Sequence, residues 1–156
     1  MSLLIDGYNL MWAMDALNPV ARMNFDMALQ LLMKLLTAYA ARTAPGEVVL
    51  VLDGYRGASP YTRYQEEGGM QVVITGRGIT ADRWMMDAMS RQGFEGTAVT
   101  GDGEILKFAR SRGVPCITSK KFESLLMEEA RHDKALMDEM HSRKRQFRKL
   151  QKGSRG

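Results

Sequence analysis

The chain alternates short, unbroken apolar runs with longer stretches in which apolar residues recur every three or four positions. The runs are residues 2–5 ("SLLI"), "EVVLVLD" at 47–53, "MQVVIT" at 70–75, "TAVTGD" at 97–102 and "VPCIT" at 114–118. Each is short, is bounded by Gly, Pro or a polar residue, and reads as a strand. Between them, residues 24–43 carry an amphipathic helical pattern with Asn24 as its cap, stopped by Pro45-Gly46. "TADRWMMDAMSRQ" predicts a helix capped by Thr80, and "GEILKFARSRG" one closed by Gly113. From Ser119 the pattern is helical to the end of the chain. "GYRGASPYTRYQEEGG" is polar and turn-rich and predicts a loop, with a short hairpin or helical turn as the alternatives. Strands that alternate with helices predict an α/β fold, a parallel sheet covered on both faces.

In such a fold, ligands bind beyond the carboxyl ends of the strands. This sequence repeatedly places an acid there. Asp6 ends the first strand, Asp53 the second and Asp102 the fourth, while Asp82 sits in the first turn of the helix after the third. Each acid alone also suits a turn or a helix N-terminus. Capping does not require all four on one edge. Clustered carboxylates repel one another, and a hard divalent ion with oxygen ligands, Mg²⁺ or Mn²⁺, relieves that repulsion.

Composition removes most competing chemistry. The only histidines, His132 and His141, lie in the last 26 residues, which argues against a Ser-His-Asp triad, a Cys-His pair or a Cys/His zinc site in the body. No GxxxxGK[ST] occurs. The single cysteine, Cys116, lies in an apolar strand and reads as packing; it permits no internal disulfide and suits a reducing, cytoplasmic compartment. No apolar run reaches the ~18 residues of a membrane span, and Asp6 comes too early for a signal peptide. The net charge of +4 is uneven. Residues 131–156 hold nine Lys or Arg against three acids, whereas the other 130 residues hold thirteen against fifteen. A basic tail on a slightly acidic body points to a nucleic-acid partner, or to a solvated helix that keeps the protein soluble. Carboxylates, a divalent ion and a basic flank together suit phosphodiester hydrolysis.

"LIDGYN" after the first strand, "TAD" opening the middle helix and "TGD" closing the fourth strand resemble the NYN branch of the PIN-like nuclease superfamily. The set is most similar to the bacterial YacP-like group, which includes a ribosome-associated endoribonuclease. The resemblance implies a three-layer PIN-like fold with a five-stranded parallel sheet in the order 3-2-1-4-5. It also implies a nuclease domain over residues 1–130, with 131–156 a basic helical extension of the same domain. It implies a metal-dependent ribonuclease site in which Asp6, Asp82 and Asp102 are metal ligands and Asp53 binds metal through water or shapes the site. Asn9 would orient a metal-bound water or a phosphate, and Thr100 would bond a ligand carboxylate. The chain departs from the group's pattern in two places. Met86 stands where an acid is usual one turn after the "TAD" aspartate, with Asp87 next to it, and Glu104 follows Asp102 by two residues rather than three. Either these acids still reach the site or fewer ligands serve.

Tyr8, Trp12, Tyr55, Tyr61 and Tyr64 fall in or near the loops expected at that edge, interleaved with Arg56, Arg63, Arg77 and Arg83. Rings that stack on unpaired bases beside arginines that hold phosphates are how single strands are gripped. Tyr8 and Trp12 equally suit packing against the first helix. Arg143, Lys144 and Arg145 in the tail suit the backbone of mRNA or of the ribosome. The leading expectation is an endoribonuclease that uses Mg²⁺ or Mn²⁺. The alternative is a catalytically weak or inactive RNA- or ribosome-binding protein of the same fold, suggested by the displaced Asp87 and Glu104. A phospho-receiver would want paired acids at the end of strand one, and a haloacid-dehalogenase-type phosphatase an acid where Tyr8 stands.

Overall fold

A computed structural model describes residues 2–54 and 59–153. The elements in chain order begin with β1 (Ser2–Asp6), α1 (Gly7–Ala13), α2 (Asn18–Met23), α3 (Phe25–Thr43) and β2 (Glu47–Leu52). They continue with β3 (Arg63–Glu67), β4 (Met70–Ile74), α4 (Ala81–Met89), β5 (Gly96–Val99) and α5 (Gly103–Ser111). The chain closes with β6 (Cys116–Ile117), α6 (Ser119–Ala130) and α7 (Lys134–Gly153). The sheet order is β3-β4-β2-β1-β5-β6. All neighbours run parallel except β3, which pairs antiparallel with β4. Without β3, this is the order 3-2-1-4-5 that the resemblance implies.

β1 lies in the middle, with Ile5 opposite both Leu50 and Val99. Side chains alternate across it. Leu3 and Ile5 join Leu50 and Val72 in a core beneath α3, α6 and α7, while Leu4, Val49, Val51 and Ala98 join a second core beneath α4 and α5. Burial on both faces is why these strands read as continuous apolar runs. The caps stand where the sequence puts them. Asn24 Oδ1 accepts from Met27 N–H, and Thr80 Oγ1 from Arg83 N–H.

One feature selects between the alternatives of the sequence reading, and two go beyond it. The polar segment before β4 forms an edge strand, β3, exposed along its whole length. A two-residue Gly68-Gly69 turn closes the hairpin with both φ angles positive (58° and 78°), which glycine adopts without strain. Two short helices, α1 and α2, follow β1 directly. Gly7 opens α1 because a Cβ there would lie 2.5 Å from Leu52 Cδ2 and 3.0 Å from the Val51 carbonyl oxygen. Finally, the last helical stretch is broken. α6 stops at Ala130, and Asp133 Oδ1 accepts from Leu136 N–H to start α7.

α7 buries Leu136, Met140 and Phe147 and packs on α2, α3 and α6. Lys34–Glu139 (3.0 Å) ties α3 to α7, and Arg42–Glu129 (3.2 Å) ties α3 to α6. The basic tail therefore shares the core of the body. Among the described residues, no helix is long and apolar enough to cross a membrane. Phe147→Ala is expected to cost about 3 kcal/mol through lost burial and the cavity left behind, and exposed Lys149→Ala less than about 0.5 kcal/mol. Urea denaturation of the full chain measures both.

Candidate active site at the carboxyl edge of the sheet

Parallel strands end on the same side, so β1, β2 and β5 deliver their terminal residues to one edge. Asp6 is the last residue of β1 and is 6% exposed. The register that sets Ile5 against Val99 puts Thr100 beside Asp6. Thr100 is fully buried, and its hydroxyl donates to Asp6 Oδ2 at 3.0 Å. The Asp102 N–H donates to the same Thr100 oxygen at 3.0 Å. One hydroxyl thus couples the end of β1 to the start of α5. Asp102 Oδ1 accepts from Glu104 N–H (2.9 Å) and Ile105 N–H (3.2 Å), capping α5. Asp53 Oδ2 accepts from Ala81 N–H at 3.5 Å and so holds the first residue of α4, next to Asp82.

Burial first, then the charges of Asp82 and Asp102, lift the Asp6 carboxyl from 3.8 to about 6, against the opposing Thr100 bond. Asp82 is also raised, by burial first and then by Asp102, Asp53 and Glu104. The acids therefore feel one another across a shared space. Among the described residues, no Lys or Arg pairs with Asp6, Asp82 or Asp102. As they stand, no three His, Cys, Asp or Glu side chains among the described residues converge closely enough to ligate one ion.

Asn9 Oδ1 accepts from Gly101 N–H and Ser119 Oγ, both at 2.7 Å, so it clamps the β5–α5 loop to the start of α6. That use of its oxygen leaves the amide nitrogen as its donor to the site. Ser119, 1% exposed, was not among the candidates from sequence; its place at the head of α6, straight after β6, puts it on the same edge. Tyr8 packs edge-on against Phe25 at 5.0 Å, and Trp12 lies 6.4 Å from the same ring. The Tyr8 hydroxyl is pushed up by burial and then by Asp53 and Asp26. Arg83 pairs with Asp87 at 3.2 Å, so Asp87 points along the outside of α4, whereas Glu104 acts on Asp82. Arg63 opens β3, and Tyr61 and Tyr64 are exposed. The Arg77 N–H donates to the Ser59 carbonyl. Tyr55 and Arg56 lie outside the described residues. On α7, Arg143 donates to Gln146 Oε1 at 3.4 Å, and Lys144 acts on Asp15; no α7 cation is among the charges acting on Asp6 or Asp82. Arg145 is exposed on the same helix.

A largely parallel sheet with acids gathered at its carboxyl edge defines an α/β protein with a candidate ligand site there. The family model for a YacP-like NYN domain matches residues 3–154, and the chain belongs to that family. Two solved structures of Rae1 (YacP) from Bacillus subtilis share its fold. One, a single-substitution mutant, is 18% identical with a TM-score of 0.69, and the match covers 91% of each chain. The other is 18% identical with a TM-score of 0.67, covering 99% of this chain and 89% of that one. No curated protein matched the chain.

Because the folded chain holds Asp6 near pKa 6 and the unfolded chain near 3.8, the folded form carries the extra proton between those pH values. The contribution of Asp6 to stability therefore falls as pH rises from about 4 to about 6 and is level above that. At pH 7 the charged carboxylate costs the fold about 3 kcal/mol, at about 1.4 kcal/mol per pH unit. Asp6→Asn, which keeps an acceptor for Thr100, is expected to be more stable than the parent at pH 7 by up to that amount. Denaturation curves at pH 4, 5, 6 and 7 check it; the difference closes below about pH 4.

Proposed function

We propose that the chain is a metal-dependent endoribonuclease that hydrolyses RNA phosphodiester bonds at Asp6, Asp82 and Asp102, with Asp53 beside them. One observation carries this reading: a buried acid and its acidic neighbours, with no cation paired to Asp6, Asp82 or Asp102 among the described residues, at the ligand-binding edge of a nuclease-family fold. The donors are all oxygens, which suit Mg²⁺ or Mn²⁺. Mg²⁺ keeps several of its waters and takes only one or two carboxylates directly, so this set fits it without three converging acids. When bound, such an ion supplies an activated water and neutralises charge developing on the phosphate.

The chain's own groups do the positioning. Thr100 fixes the Asp6 carboxylate, and the α5 cap fixes Asp102 by one oxygen. Asp53 holds the head of α4 and with it Asp82. Asn9, its oxygen occupied, offers its amide N–H to a phosphate oxygen or a water. Tyr8, Tyr61 and Tyr64 offer rings to unpaired bases, and Arg56, Arg63 and Arg83 offer charge to phosphates. Arg143, Lys144 and Arg145 extend that charge to mRNA or the ribosome, and binding through them weakens as salt rises. The second reading, RNA or ribosome binding with little or no cleavage, is favoured by the open spacing of the acids.

Purified protein is expected to cut single-stranded RNA with Mg²⁺ or Mn²⁺ and to stop with EDTA. Asp6→Asn and Asp102→Asn are expected to slow cutting at least about 100-fold, on the scale of losing several kcal/mol of charge stabilisation. Asn caps a helix as well as Asp, so Asp102→Asn removes charge and not the α5 cap. Undiminished cleavage by both variants rejects the assignment. RNA binding without any calorimetric signal for Mn²⁺ selects the second reading.

A further inference from the structure

Tyr64 and Trp84 come from distant parts of the chain and meet outside the acid group. Trp84 lies on α4 two residues after Asp82, and Tyr64 is the second residue of the edge strand β3. The indole Nε1–H donates to the Tyr64 hydroxyl at 3.4 Å, with ring centroids 6.4 Å apart and planes inclined at 56°. Arg91, two residues past the end of α4, holds its guanidinium over the Trp84 ring, 5.7 Å from the centroid. Core packing does not account for Tyr64. It belongs to neither buried cluster and is 57% exposed, while Trp84 packs only in part on the second core. The long hydroxyl contact leaves the Tyr64 ring largely uncovered.

This aromatic surface lies near the β4–α4 loop, which leads to Asp82. The segment leading into β3 crosses the β4–α4 loop so closely that a Cβ on Gly76 would lie 2.6 Å from the Tyr61 carbonyl carbon. Thr62 Oγ1 accepts from Gly76 N–H at 3.1 Å and secures the crossing. Tyr61, 78% exposed, stands there, beside the loop that feeds Thr80 and Asp82.

We propose that Tyr64 and Trp84, flanked by Tyr61 and Arg91, form a base-stacking platform for single-stranded RNA. A strand whose phosphate lies at the acids leaves the site over β3 and α4. The proposal rests on the RNA reading above and adds a path to it. Rings present a π-face to any base, so the platform tolerates sequence, and the Arg91 cation, which lies over the indole, suits the adjoining phosphate.

The test uses the full chain with Trp12→Phe, so that Trp84 is the only indole, in EDTA to prevent cutting. A ten-nucleotide oligouridylate is expected to quench its fluorescence, and an abasic strand of equal length is not. Tyr64→Ala is expected to weaken oligouridylate binding about tenfold, the scale of one lost stacking contact. Tyr64→Phe and Trp84→Phe, which keep a ring, retain affinity by anisotropy of a labelled strand. Equal quenching by the abasic strand, full affinity in Tyr64→Ala, or no binding of oligouridylate overturns the platform. Cleavage that persists alongside such a result leaves the nuclease reading standing. A chain that quenches on oligouridylate but cuts nothing keeps the platform and removes the nuclease.

Discussion

The hydroxyl of Thr100 stands between the Asp6 carboxylate and the Asp102 backbone, and much of the site depends on it. It gives a buried charge its hydrogen bond and joins the ends of two neighbouring strands. A carboxylate withdrawn from water beside other carboxylates is costly to ionise. The fold tolerates it because parallel register leaves Asp6 at the end of the central strand, where the rest of the sheet holds it in place. The same tolerance leaves a negative charge beside other acids.

Capping and chemistry are not rivals at this edge. Asp102 caps α5 with one oxygen, and Asp53 holds the head of α4. Each interaction fixes a helix whose first turn carries another acid, Glu104 or Asp82. The acids therefore set one another's positions through the backbone. Asn9 extends this bracing to α6 by accepting from both Gly101 and Ser119.

α7 serves two environments at once. Leu136, Met140 and Phe147 lie in the core, while its cations face outward, and the charge beside Lys144 is Asp15 and not the acids of the edge. A helix basic in composition can thus be indispensable to packing. The basic face and the acidic edge are separate surfaces of one body.

Five strands were legible because burial on both faces leaves an unbroken apolar run and alternation with helices favours parallel pairing, while their order was what the family resemblance implies. The acids Asp6, Asp53, Asp82 and Asp102 were legible for the same reason, since strand ends share an edge. β3 was legible only as the hairpin alternative to a loop, because an exposed edge strand needs no apolar side chains and only Gly68-Gly69 marked its turn. α1 and α2 were not legible, being too short for a periodic signal and following β1 without a side-chain cap hydrogen bond. Sequence by itself determined which residues end each strand and which residue types stand there. Only tertiary structure decided that Asp87 turns to Arg83 while the charge of Glu104 acts on Asp82, and that Tyr64 meets Trp84. Those outcomes depend on helix rotation and on contacts between elements far apart in the chain, which no local pattern encodes.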